Sequence, residues 1–273
     1  MVFKGIDDKN VLSIIDLWNE CLTSDVINEK NFYNRIIFDV NFDTSNFIVA
    51  YDGSETVGFI YGTKRIVCDE VAGLQDGTAW IVEMGVKKKY RRQGIGTELV
   101  KKLENKFHSE GVNRIDLCNY SSNYITPGVD NENYQGSVNF FEKLGYKQYG
   151  KSVAMEMKLN NYTYLEKYKA KKKQLLEEGI RVVPFEYMYA LSVKEFFKNE
   201  FEHWWPVCRN LIITTEEESP LFIALDKDEK TVGFVMRSMD GTPERFGPFG
   251  MSESLQGKSI GSLLFNELRS CMQ

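Results

Sequence analysis

Between Ala79 and Phe107 the sequence reads AWIVEMGVKKKYRRQGIGTELVKKLENKF, and few folds supply what this stretch demands. An apolar run from Trp80 to Val86 is interrupted by one carboxylate, Glu83, and carries Gly85. Charged residues follow, then the tight run Arg91-Arg92-Gln93-Gly94-Ile95-Gly96. Ile95, Leu99, Leu103 and Phe107 then recur every fourth residue, which places them on one face of a helix. The stretch predicts strand, turn and helix, with glycines where the turn becomes the helix.

Such a junction has a physical use. The first backbone N–H groups of a helix have no internal partner, and the helix dipole puts partial positive charge there. Glycines let an anion approach those amides closely. A hydrogen bond to a charged group contributes about 1.5–3 kcal/mol, so several together can hold a diphosphate. The spacing excludes a Walker loop, since no Gly-Lys-Ser/Thr follows. It also excludes a dinucleotide fingerprint, because Gly94-x-Gly96 lacks the third glycine.

Arg-x-x-Gly-x-Gly, from Arg91 to Gly96 after an apolar strand, resembles the coenzyme A signature of the GNAT acetyltransferase superfamily. The order of predicted elements over residues 1 to about 159 is also similar to that fold. Residues 11–22 and 28–39 read as helices, and 47–51 with 56–67 as a hairpin. The central strand and helix come next, then a strand at 114–118, a helix at 134–144 closed by Gly145, and an alternating strand at 146–159. Phe140-Phe141-Glu142-Lys143-Leu144-Gly145-Tyr146 resembles the ending of the family's last helix, with Phe141 where the family usually has Tyr. The resemblance implies an α/β fold with a mixed sheet. It also implies acetyl-CoA as cosubstrate, bound by Met84, Gly85, Val86, Arg91, Arg92, Gln93, Gly94, Ile95, Gly96, Thr97 and Asn119.

After a lysine-rich helical segment the first pattern returns. Phe47-Ile48-Val49-Ala50 is echoed by Leu221-Phe222-Ile223-Ala224, and Thr56-Val57-Gly58-Phe59 recurs as Thr231-Val232-Gly233-Phe234. Ile95, Leu99 and Leu103 are matched by Ile260, Leu264 and Leu268, and Arg91 and Gly96 by Gln256 and Gly261. This predicts a duplicated domain: residues 1–160 complete, 161–179 a linker helix, and 180–273 a degenerate or truncated second copy. Ser259 replaces the first glycine of the second turn, and a left-handed backbone there would cost it roughly 1–2 kcal/mol. Tyr124 to Asp130, with Tyr134 beyond, resembles a loop of tandem GNAT proteins similar to mycothiol synthase.

Composition narrows the function. Across 273 residues the formal net charge is −5, which argues against nonspecific nucleic-acid binding. No apolar run approaches a membrane span, and the N-terminus lacks the core of a signal peptide. Five scattered cysteines without a C-x-x-C pair imply a reducing, cytoplasmic setting. Two histidines far apart, with no clustered acids, give no expectation of a metal.

Acetyl transfer to an amine needs a base for the amine's proton and donors for the developing charges. Glu83 is the candidate base, the alternative being an ordinary strand carboxylate facing solvent or an arginine. Phe141 cannot act as an acid, so Tyr124, Tyr134 and Tyr146 are the nearby substitutes, each with core packing or loop surface as its alternative. The expected function is N-acetylation of a small-molecule amine by direct attack. A non-catalytic acyl-CoA-binding sensor or assembly module is the rival, and acylation of a protein amine a third reading. A homodimer stays open.

Overall fold

A computed structural model describes residues 1–120, 126, 128–153, 155–158, 166–214, 220–238 and 244–271. The chain forms two compact units, Met1–Ala154 and Met155–Gln273.

The first unit is a five-stranded sheet in the order β1 (Val2–Gly5), β2 (Phe47–Asp52), β3 (Glu55–Thr63), β4 (Thr78–Val86), β5 (Arg114–Leu117). Neighbours are antiparallel until β5, which runs parallel to β4. Helix α1 (Val11–Cys21) and the short α2 (Glu29–Phe32), prolonged by a π-turn at Tyr33–Ile37, cover one face. There Trp18 stacks on Phe59 at 5.3 Å, and Phe32, Phe47, Tyr61 and Trp80 complete the packing. Helix α3 (Ile95–Ser109) covers the other face, burying Ile95, Leu99, Leu103 and Phe107 against Val57, Ile60 and Ile81. The four-residue spacing of the sequence therefore becomes the seam between helix and sheet. Helix α4 (Ser137–Lys143) adds Phe141 to that second layer.

Gly85 lets α1 come close. A Cβ there would lie 2.7 Å from that of Cys21 and 2.8 Å from the ring of Phe59.

The strand predicted at 146–159 does not form among the described residues. Tyr146 packs on the α3 layer and donates to Glu104 at 2.8 Å, but the described residues beyond it have no described strand beside them. Val153 and Met155 are 82% and 93% exposed, so their alternation has no buried face to serve.

The second unit has a four-stranded antiparallel sheet, β6 (Arg181–Pro184), β7 (Leu221–Leu225), β8 (Thr231–Arg237), β9 (Phe246–Met251). Helices α6 (Ala190–Glu200) and α7 (Trp205–Thr214) pack on one face around Phe197 and Phe234. Helix α8 (Ile260–Ser270) packs on the other through Leu263, Leu264 and Leu268. Helix α5 (Glu166–Glu177), within the segment expected to be a linker, buries Leu175 in this same layer. Its Lys172 pairs with Glu267 of α8 at 2.8 Å.

Strand, helices, hairpin, strand and helix thus follow one another in both units, and the turn before the long helix has one shape in both. Arg91 has φ −66° and ψ 158°, and Gln256 has −63° and 154°. Gly94 has φ 85°, and Ser259 is left-handed at 66°. A side chain in that region costs roughly 1–2 kcal/mol. Ser259→Gly is expected to raise stability by about 1 kcal/mol and Gly94→Ala to lower it by a similar amount. Denaturant midpoints of the purified variants check both signs.

Candidate active site

The site begins where two strands part. β4 and β5 pair from Thr78 with Arg114 to Ile81 with Leu117, and the Cys118 amide donates to the Ile81 carbonyl at 2.8 Å as the last rung. Cys118 and Asn119 then both turn left-handed, at φ 56° and 55°. On β4, Val82 is the extra residue of a bulge opposite Tyr61 and Gly62. Bulges bend and twist a strand, so both chains turn at the same level. Beyond it the outer edge of β4, which includes Met84, Gly85 and Val86, has no strand beside it among the described residues.

Glu83 stands at this parting. It is directly opposite Tyr61, so it points to the α1 side of the sheet. Protein surrounds it, yet part of its surface stays accessible, as on the floor of a cleft. Burial pushes its pKa up to about 8. Thr126 Oγ1, which donates to Glu83 Oε1 at 2.8 Å, and the charge of Arg35 oppose that rise, while Asp25 adds to it. The thiol of Cys118, pushed up to about 12 by burial and by the Glu83 charge, stays protonated.

Tyr134 and the loop after α1 meet beside this cleft. The Tyr134 hydroxyl donates to Asp25 Oδ2 at 2.6 Å and accepts from the Ser24 amide at 3.1 Å. Burial and the carboxylate raise its pKa, so the proton is held where it is.

At the other end of β4 lies the turn into α3. Gly94 precedes the helix, and a Cβ on Gly96 would touch Phe140 of α4 at 3.4 Å and Met84 at 3.6 Å. Arg92, Gln93 and Gly94 are exposed, and Gly96 and Thr97 are half-buried. Arg91 folds back, and its Nε donates to the Val86 carbonyl at 2.8 Å. A strand edge with no strand beside it among the described residues, followed by a helix N-terminus and backed by a carboxyl of raised pKa, can hold a long phosphate-bearing ligand and accept a proton.

The acetyltransferase (GNAT) family model matches residues 11–146, the stretch that builds this cleft. The chain belongs to the GNAT family. No curated protein sequence is significantly similar. Among solved structures, a GCN5-related glucosamine N-acetyltransferase region of a fungal multi-domain GH3 beta-N-acetylglucosaminidase is similar over 99% of this chain, with TM-score 0.74 and 16% identity. The chain spans about a third of that protein, 34% of its length. A GCN5-related N-acetyltransferase from Sphaerobacter thermophilus is similar over 99% of this chain and 82% of its own, with TM-score 0.64 and 14% identity. At these identities the likeness is one of fold, and it extends through both units.

In this GNAT chain the structure brings Glu83, Met84, Gly85 and Val86 onto one strand, with the Arg91–Thr97 turn at its end. Asn119 sits at the bend after β5. Tyr124 lies outside the described residues. Phe141 is buried against Tyr146 at 5.5 Å. Among the described residues no group of three or more His, Cys, Asp or Glu could hold a metal. Sequence reasoning missed Asp25 and did not single out Thr126 or Cys118 for the site. Each reaches it through space, and only Thr126 lay in a stretch, Tyr124 to Asp130, that the sequence pattern had already marked.

The hydrogen bond from Thr126 favours the ionised form of Glu83. Thr126→Val is therefore expected to raise the Glu83 titration midpoint by roughly one pH unit. Carbon-detected NMR of labelled glutamate side chains reads this directly. A carboxyl whose pKa is raised in the fold favours its neutral form. Its contribution to stability is complete below the usual 4.5 and is lost as pH rises through about 8. Glu83→Gln should remove that loss, seen as a flatter profile of unfolding free energy between about pH 4.5 and 8.

Proposed function

We propose that the first unit binds acetyl-CoA and transfers its acetyl group to the amine of a small molecule. The observation that carries this reading is Glu83, a carboxyl tuned to about 8 beside the freed edge of β4. Peptide groups of Met84 to Val86 would pair with the pantetheine arm, and the amides from Arg92 through Thr97 would face the diphosphate. Their left-handed and glycine positions suit that approach.

The amine arrives mainly as an ammonium ion. Glu83 in its ionised form takes one proton, directly or through water, and frees the lone pair. The nitrogen attacks the thioester carbonyl carbon, the C–N bond forms, and the C–S bond breaks. The sulfur leaves as a thiolate and takes up a proton released from nitrogen. Tyr134, its hydroxyl held by Asp25, is suited to shaping the acceptor side of the cleft.

Because Glu83 acts when ionised, kcat/KM should climb as pH rises through about 8 and level off above it. Glu83→Gln should lower kcat by roughly 10²–10⁴-fold and abolish that limb. Steady-state kinetics with acetyl-CoA and a panel of amines test both. Tight coenzyme binding without turnover for any amine would instead favour the acyl-CoA sensor.

A further inference from the structure

Five cations crowd the six residues from Lys87 to Arg92, and three of them have internal partners. Lys87 Nζ lies 3.1 Å from Glu55 Oε1 and 3.2 Å from Glu20 Oε2. Lys89 Nζ lies 2.9 Å from Glu55 Oε2. The Tyr90 hydroxyl stands 3.0 Å from that same oxygen and 3.1 Å from Asp52 Oδ2. Glu55 therefore receives three side chains of the turn, and their hydrogen bonds, that of Lys89 foremost, hold its carboxyl down to about 2. Arg91 is engaged with the Val86 carbonyl. Among the described residues the side-chain cations of Lys88 and Arg92 have no ion-pair or hydrogen-bond partner, and both residues are exposed.

The second unit shows what Glu55 is for. Its matching turn carries Ser252, Ser254 and Leu255 where the first has Lys87, Lys89 and Tyr90. It keeps the same backbone angles, and a link to the first helix of its unit's sheet face, α6, persists as Ser252 Oγ donating to Glu200 Oε1 at 2.6 Å. The backbone shape thus survives without a counterpart of the Glu55 cluster among the described residues. What Glu55 answers to is the density of positive charge, which would otherwise drive the lysines apart.

We propose that Glu55 is a positioning residue for the coenzyme. It fixes Lys87 and Lys89 against the hairpin, so that Lys88 and Arg92 are the cations left to meet the phosphates of the ligand. This rests on the acetyl-CoA reading of the site. With Glu55 neutralised, the two freed lysines repel their neighbours and compete for the ligand's charge in many arrangements instead of one.

The test is Glu55→Gln, with Glu55→Asp as the conservative variant. Glu55→Gln should raise KM for acetyl-CoA about tenfold while kcat and KM for the amine stay within twofold. Glu55→Asp should recover most of the loss. Calorimetry with coenzyme A should show the same weakening, smallest at low salt, where the net positive charge gained in the variant pulls hardest on the phosphates. An unchanged KM for acetyl-CoA in Glu55→Gln would overturn the proposal. So would a joint fall of kcat and melting temperature, the sign of a merely structural role. Wild-type protein that binds no coenzyme A at all would defeat the acetyl-CoA reading itself, a result separate from either.

Discussion

The separation of β4 from β5 is the constraint on which the site depends. A parallel pair that stayed zipped would bury the peptide groups of Met84 to Val86 in the sheet and leave nothing for a ligand to pair with. Here the ladder stops after Ile81 and Cys118, because Val82 bulges on one strand while Cys118 and Asn119 turn left-handed on the other. Two consecutive non-glycine residues in that conformation are costly, and such strain persists where surrounding structure enforces it. The packing that enforces it is visible. Tyr120, directly after the bend, is buried against Trp80 at 5.2 Å, and its hydroxyl accepts from Asn41 at 2.6 Å.

The same opening sets the electrostatics of Glu83. The bulge places it opposite Tyr61 on the α1 face, where aromatic packing strips away solvent. A carboxylate there without partners would be expensive. One hydroxyl donor, Thr126, and the nearby charge of Arg35 keep ionisation within reach of neutral pH, and Asp25 works against them. The value near 8 is where burial, which pushes the carboxyl up, and these partners come to balance. The geometry of the sheet and the chemistry of its carboxyl therefore share one cause.

Much of this was legible in the sequence, for a physical reason. Helical and strand periodicity expose the core faces directly, so Ile95, Leu99, Leu103 and Phe107 announced the α3 seam, and the glycines marked where the turn becomes the helix. The repeat of Thr56-Val57-Gly58-Phe59 in the second half pointed to a second hairpin, and β8 forms there. What stayed hidden depends on contacts remote in sequence. Thr126 meets Glu83 across 43 residues, and Tyr134 meets Asp25 across 109. Arg91 belongs to the expected coenzyme-binding set, yet its side chain bonds the Val86 carbonyl, because the turn brings the guanidinium back over the strand. The alternation of residues 146–159 predicted a strand, but pattern alone cannot supply the neighbouring edge that a strand requires.

Hydrogen–deuterium exchange of the intact protein with and without coenzyme A addresses the central claim most directly. If the ligand lies along the freed edge of β4 and caps α3, amides of residues 84–86 and 92–97 should exchange at least about tenfold more slowly in its presence. Binding that leaves those amides unprotected, or protects another face of the sheet, would contradict the account.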